Sequence, residues 1–350
     1  MPLGRQRPLP LGAARLLRGR TRYLNALTGT VTLLPGSLAT CGRNNPPRSD
    51  RGPSLTCRGK SVATTQEWIQ GSRPRTLGAA IAPVAVGTAA ASTLGPITWW
   101  RALAALVVAL ALQVGVNFAN DYSDGVRGTD ADRRGPVRLT ASGLATPGAV
   151  RAAAVASLLV AAVVGALLAI ATYPWLLLVG AAMLLSAALY TGGPRPYGYA
   201  GFGELMVLIC FGFVATVGTA LVQRNGVPAA AWWGSLVTGL PACAVLLANN
   251  VRDIATDTVV GKRTLAVRIG DRSARRLFVG CLLASFIAVI PIVILNPWAA
   301  LAFLAIPLAV APSRAMLTRT DAPGLIAALV GTVRLELVAG SLLALGLAIS

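Results

Sequence analysis

Six of the twelve carboxylate side chains in this 350-residue chain stand in two short stretches. Asp121, Asp124, Asp130 and Asp132 lie within Asn117–Arg134, which closes the apolar run Ala102–Val116. Asp253 and Asp257 close a second apolar run. In the first stretch Asn117, Asn120 or Asp121, and Asp124 fall at i, i+3 or i+4, and i+7, which is one face of a helix. Asn249, Asp253 and Asp257 repeat the pattern at i, i+4 and i+8. Carboxylates gathered this densely repel one another unless a cation lies between them. Hard oxygen donors without histidine or cysteine point to Mg²⁺, which keeps waters and bridges a few carboxylates to phosphate oxygens.

Basic residues follow each stretch closely: Arg127, Arg133, Arg134 and Arg138 after the first, Lys262, Arg263 and Arg268 after the second. Guanidinium and ammonium groups beside metal-binding acids are what a diphosphate needs, with metal on some oxygens and donors on the rest. Two plainer readings stay open here. The acids can serve as structural ion-pair partners, and any one arginine can be there only to set membrane topology.

The elements that must position these groups are apolar. Hydrophobic residues make up 55% of the chain and charged residues 12%, the profile of a polytopic membrane protein. The net charge of +19 does not indicate nucleic-acid binding, because its distribution is wrong for that. Eleven of the thirty-one basic residues precede residue 66, and most others stand in short loops between apolar segments. The absence of histidine excludes histidine acid–base chemistry and Ser-His-Asp triads, along with most zinc and haem ligation. The five cysteines are scattered and odd in number, so they read as small core residues rather than a disulfide framework.

Residues 1–65 are a basic extension, rich in Arg, Pro, Gly and Ser, with no acid before Asp50. It reads as a disordered tail, as a transit peptide, or as the product of a start codon assigned too early, with Val62 beginning the chain. From residue 66 to residue 350 the sequence reads as a single all-α membrane domain of about nine apolar segments. These lie near 76–95, 99–122, 149–171, 174–192, 202–223, 230–251, 273–296, 298–313 and 323–348. In lipid the backbone must satisfy its own hydrogen bonds, so these segments are helices. Arginine and lysine concentrate in alternate loops, which predicts the N-terminus and both acidic clusters on the cytoplasmic side of a bacterial inner membrane.

A diphosphate bound at the edge of an apolar bundle suggests a substrate with a diphosphate head and a hydrocarbon tail, and polyprenyl diphosphates fit. Metal-assisted loss of diphosphate leaves an allylic cation. Tyr122, Tyr190, Tyr197, Tyr199 and Phe202 offer aromatic faces that could shelter it. A divalent-cation or anionic-lipid transporter is the competing class. Transport sites usually sit near the bilayer midplane on broken helices, whereas these acids gather at helix ends on one side.

Asn120-Asp121-x-x-Asp124 paired with Asp253-x-x-x-Asp257 resembles the UbiA-type intramembrane prenyltransferases. The finer resemblance is to the 1,4-dihydroxy-2-naphthoate polyprenyltransferases of menaquinone synthesis. It runs through Trp68-Ile-Gln-Gly-Ser-Arg73-Pro-Arg75, Tyr190-Thr-Gly-Gly-Pro-Arg-Pro-Tyr197, and Gly261-Lys262-Arg-Thr264-Leu-Ala-Val-Arg268. The resemblance implies two Mg²⁺ ions bound with the diphosphate, one on Asn120, Asp121 and Asp124 with Asn117 or Asp130 assisting, the other on Asp253 and Asp257. The spacing from Asp124 to Asp130 exceeds the plain Asp-x-x-x-Asp of many members, which argues against Asp130 as a direct ligand. Lys262, Arg134 and Arg138 are implied to grip the diphosphate or the acceptor carboxylate, with Tyr190, Asn249 and Arg268 completing the substrate contacts. The implied reaction is decarboxylating prenyl transfer to the naphthoate, giving a demethylmenaquinone. A sibling enzyme acting on 4-hydroxybenzoate or homogentisate would carry the same metal motifs. Glu204, Arg334 and Glu336 are intramembrane charges for which helix pairing and acceptor contact both remain open.

Overall fold

The computed structural model describes residues 63–127, 138–193 and 196–349. The extension up to residue 62, together with Asp130, Asp132, Arg133, Arg134 and Arg195, lies outside the described residues.

Among the described residues there is no strand, and the elements that order them are helices. A short helix α1 (Thr65–Gly71) opens with a capping box. The Thr64 hydroxyl accepts the Glu67 N–H, and the Glu67 carboxylate accepts the Thr64 N–H. Then come α2 (Gly78–Ser92), α3 (Trp99–Arg127), α4 (Pro147–Ala171) and α5 (Leu176–Thr191). The next long helix, α6 (Gly203–Gln223), contains a π-helical stretch at Leu208–Val214. It is followed by α7 (Ala229–Val259), the five-residue α8 (Leu265–Ile269), α9 (Asp271–Leu295), α10 (Pro297–Thr318) and α11 (Ala322–Ala348).

Seven of these helices are long and apolar enough to cross a membrane: α3, α4, α6, α7, α9, α10 and α11. Helices α2 and α5 stand where the first and fourth apolar segments were expected, but they have only 15 and 16 residues. At 1.5 Å per residue they fall short of a hydrocarbon core of about 30 Å, so seven helices meet the length for a crossing and two of the nine expected segments form shorter apolar helices. Hydropathy also stops too early at the acidic ends. The apolar runs end near 122 and 251, yet α3 continues to Arg127 and α7 to Val259. Both acid stripes therefore ride on unbroken helix.

The core is centred on α7. Leu247 of α7, Phe278 and Leu282 of α9, Met316 of α10 and Leu335 of α11 are all fully buried in one cluster. Helix α6 reaches this core through a close approach. A Cβ on Gly239 of α7 would come within 2.7 Å of the Gly212 Cα on the π-helical stretch, so both positions need glycine. On the other side α3 packs along α4, and a smaller cluster of Phe118, Leu139, Val150 and Ala154 ties α3 and α4 to α1 through Trp68. Trp68 meets Phe118 edge-on with ring centres 5.7 Å apart.

Tryptophan marks one end of the bundle. Trp99, Trp100, Trp175, Trp232, Trp233 and Trp298 are all exposed, and each lies at the helix end away from the acids. This is the distribution of an interfacial aromatic belt.

Candidate functional site

The last turns of α3 are fastened to their surroundings by the side chains of the first stripe. Asn117, 4% exposed, donates its amide to the Ser72 carbonyl at 2.9 Å. Ser72 leads into Arg73, the one non-glycine residue with positive φ (57°) among the described residues. Asn120 accepts the Thr191 hydroxyl at 2.9 Å. Asp121 is 1% exposed, and its two carboxylate oxygens accept the backbone N–H groups of Leu139 (2.7 Å) and Thr140 (3.1 Å). That grip fixes the start of the loop leading to α4 and sets Arg138 beside the helix.

Asp124 is the hub. One of its oxygens accepts the Tyr199 hydroxyl at 2.7 Å and the Lys262 ammonium at 3.0 Å. The other lies 3.6 Å from an Arg138 guanidinium nitrogen. Lys262 also sits 4.4 Å from the centre of the Tyr199 ring, and the Arg127 guanidinium lies 5.4 Å from the same ring. Arg127 donates to the carbonyls of Thr191 and Gly193, which holds the end of α5 against α3. Burial works against the Lys262 ammonium, but the Asp124 carboxylate and Tyr199 outweigh it and raise its pKa above the ordinary lysine value. Burial, reinforced by Asp124, raises the Tyr199 phenol as well.

The second stripe is built differently. Asp253 is paired with its chain neighbour Arg252 through two contacts of 2.8 Å. Asn250 donates to Glu204 at 2.8 Å. After α7 the chain turns through Gly261 (φ +78°), and the Lys262 N–H returns to the Asp257 carbonyl at 2.8 Å. Lys262 therefore touches both acidic segments, the second with its backbone and the first with its side chain. Asp253, Asp257, Lys262, Asn250, Thr256 and Thr264 line a polar pocket of about 70 Å³, which Tyr190 and Tyr199 also face. The Thr264 hydroxyl is buried with no hydrogen-bond partner among the described residues.

Tyr190 also lines a second and larger cavity, an apolar chamber of about 540 Å³. Its walls come from α2 through α7, and along α3 it runs from Ala105 to Asn120, about 22 Å at the helical rise. Apolar side chains dominate it. Its polar groups, including Arg73, Asn117, Asn120, Tyr190 and Asn249, cluster towards the acidic end. The molecule thus offers a long apolar chamber and a small charged pocket that share Tyr190.

Most of the residues singled out from sequence meet here, with exceptions. Asp253, Asp257 and Lys262 line the polar pocket, whereas Asn117, Asn120 and Asn249 line the chamber. Asp121 and Asp124 lie behind the walls, and Asp124 reaches the pocket through Lys262 and Tyr199. Arg268 is outside both cavities, exposed, and hydrogen-bonded to the Arg263 carbonyl. Arg134 and Asp130 fall outside the described residues. Arg334 is exposed, while Glu336 is fully buried. Sequence reading gave Arg73, Asn250 and Thr264 no role, and took Tyr199 only as an aromatic face. For Asn250 the cue was adjacency to Asn249, and for Thr264 adjacency to the lysine turn.

The donors suit Mg²⁺. Two carboxylates, an amide and three threonines surround the polar pocket, with no sulfur or imidazole. Among the described residues no three acidic, cysteine or histidine side chains converge into a protein-only cage. Mg²⁺ held with a substrate phosphate needs no such cage, since it takes one or two carboxylates and fills the rest with waters and phosphate oxygens.

Comparisons with known proteins agree with this architecture. The 1,4-dihydroxy-2-naphthoate octaprenyltransferase of Mycobacterium tuberculosis is 50% identical over 248 residues, covering 71% of this chain and 85% of that protein. The Escherichia coli protein of the same name is 35% identical over 309 residues, covering 83% and 98%. Among solved structures, a UbiA homologue from Archaeoglobus fulgidus shares the fold with a TM-score of 0.54 at 13% identity, covering 79% of this chain and 99% of that one. The same homologue bound to GPP and Mg²⁺ gives a TM-score of 0.53 at 16% identity, with the same coverage. The profile of the UbiA prenyltransferase family matches residues 80–342, most of the described helical bundle, and the chain is a member of that family.

Proposed function

We propose that this multi-pass membrane protein transfers a polyprenyl group from its diphosphate to 1,4-dihydroxy-2-naphthoate, with loss of carbon dioxide, on the route to menaquinone. The observation that carries this is the junction at Tyr190. A tail that fills the apolar chamber brings its diphosphate end to a pocket walled by Asp253, Asp257 and Lys262. The naphthoate as acceptor is supported by the 50% identity to the mycobacterial enzyme of that name. Mg²⁺ is supported by the oxygen donor set and by the Archaeoglobus homologue bound to GPP and Mg²⁺.

The ions would be held by Asp253 and Asp257 on one side and by Asp124, with Asn120 and Asp121, on the other, and would supply Lewis-acid stabilisation of the departing diphosphate. The chain's own groups do the rest. Lys262 and Arg138 offset charge that develops on the leaving group. The apolar chamber excludes water from the allylic cation, and the Tyr190 ring stands where that cation forms, at the boundary between tail and head. The electron-rich naphthoate carbon bearing the carboxylate attacks the cation. Carbon dioxide then departs, leaves its bonding pair on the ring and restores aromaticity, giving the demethylmenaquinol, the hydroquinone form of demethylmenaquinone. The acids' end faces the cytoplasm in this reading, which the arginine-rich loops at that end support.

The test is a transfer assay with labelled polyprenyl diphosphate and purified protein, with and without Mg²⁺, offering the naphthoate and 4-hydroxybenzoate in parallel. A Mg²⁺-dependent, decarboxylated and prenylated naphthohydroquinone is the expected product, read as the quinone after oxidation in air. Transfer to 4-hydroxybenzoate alone would discard the acceptor and keep the chemistry.

A further inference from the structure

Asp124 is a metal ligand in the reading above, yet here it is already engaged. Its carboxylate accepts Tyr199 and Lys262 on one oxygen and has Arg138 beside the other. Asp253 is likewise held by both ends of the Arg252 fork. Among the described residues, Lys262 and Arg138 thus stand against Asp124, and Arg252 against Asp253. A divalent ion entering alone would add positive charge beside these cations and would have to displace an ammonium at 3.0 Å. A diphosphate entering with it supplies the missing negative charge.

We propose that Lys262 is an exchangeable counter-ion that yields Asp124 to a divalent cation only when a diphosphate is present to take the ammonium. This rests on the metal-dependent diphosphate reading and deepens it. Lys262 suits the task because its backbone is pinned to Asp257 while its four-carbon stem stays free to swing. The move is short, since Lys262 already lines the polar pocket. The Tyr199 ring at 4.4 Å keeps the ammonium attracted during the exchange, and the Tyr199 hydroxyl stays on Asp124 throughout. The consequence is ordered loading: cation and diphosphate enter together, and free cation binds poorly.

The experiment measures Mn²⁺ bound to the purified full-length protein by equilibrium dialysis and electron paramagnetic resonance, with and without inorganic diphosphate. In the wild type, diphosphate should tighten Mn²⁺ binding about tenfold or more, as expected when a close like-charge neighbour is removed. Lys262→Gln should bind Mn²⁺ alone about tenfold more tightly than the wild type and lose most of the diphosphate enhancement. Lys262→Arg, which keeps the charge, should retain the wild-type pattern. Thermal unfolding of each variant confirms that a folded protein is being compared. If Lys262→Gln bound Mn²⁺ alone no better than the wild type, while diphosphate still promoted binding, the exchange would be overturned and the metal-dependent reading would stand. Absence of Mn²⁺ binding from every protein, even with diphosphate, would overturn both.

Discussion

The two acid stripes look alike in sequence and are used differently in the fold. On α3 the stripe is tied to the protein at every position. Asn117 is fixed to the turn before Arg73, Asn120 to the end of α5, Asp121 to the loop before α4, and Asp124 to Tyr199 and Lys262. On α7, Asp253 and Asp257 face the polar pocket and Asn249 the chamber, with Asp253 also held by the adjacent Arg252 and the Asn249 amide in a long 3.4 Å contact within its own helix. The first stripe builds the walls and the second presents oxygens to what enters. Equal spacing therefore does not mean equal work. A carboxylate that accepts two backbone N–H groups orders a loop as well as carrying charge.

The largest expected effect tests that division directly. Asp121→Asn and Asp253→Asn should each lower turnover by roughly 10²–10³-fold, the scale of losing a transition-state electrostatic contact. They should part in what is loosened. Asparagine at 121 turns an amide NH₂ towards a backbone N–H of Leu139 or Thr140, leaving a buried donor unmade at a cost of about 1–3 kcal/mol. Asparagine at 253 instead turns its NH₂ against one of the two Arg252 donors and unpairs that buried guanidinium within one helix. Both variants should unfold at lower temperature in one detergent, but only Asp121→Asn should speed amide exchange at Leu139 and Thr140. Unchanged exchange at those two amides in Asp121→Asn would remove the scaffold role given to Asp121.

The next pair compares the supports behind each stripe. Thr191→Val deletes the donor to Asn120 and should cost about tenfold in kcat/KM, or roughly 1.4 kcal/mol. Glu204→Ala deletes the acceptor of Asn250 and leaves that half-buried amide without its partner, with a similar expected loss. Glu204→Gln keeps a carbonyl oxygen for Asn250 and should recover most of the activity. If Glu204→Gln were as poor as Glu204→Ala, the carboxylate charge itself would be needed, and Glu204 would belong with the reacting groups rather than with the supports.

What could be seen in the sequence follows from the range of the interactions. Apolar length and the 3.6-residue period are local, so the helices and both stripes were visible as written. The apolar segment near 76–95 reads longer than the helix it forms, because hydropathy continues into Leu77 and Leu94, which flank α2. The partners are non-local. Tyr199 reaches Asp124 across 75 residues, Lys262 across 138, and Asn250 reaches Glu204 across 46. Spacing alone could mark Asp121 as a ligand candidate, but the two N–H groups that hold it arrive from a loop 18 and 19 residues away, and nothing in their types, Leu139 and Thr140, advertises the contact.

The smallest expected effect concerns the chamber rather than the acids. Gly218 lines the chamber in the last turns of α6, and a Cβ there would meet nothing within 4 Å. It lies towards the tryptophan end, far from the chemistry. Gly218→Leu should fill depth without touching either stripe, so transfer from a short donor such as geranyl diphosphate should stay within about twofold of wild type. Transfer from a long polyprenyl donor should fall by about threefold to tenfold, corresponding to roughly one to two methylenes' worth of misplaced apolar contact. Kinetics with the two donors on one protein preparation measure the ratio directly. An unchanged ratio would mean that the tail leaves the chamber before Gly218, and the depth that sets chain length would then lie nearer Tyr190.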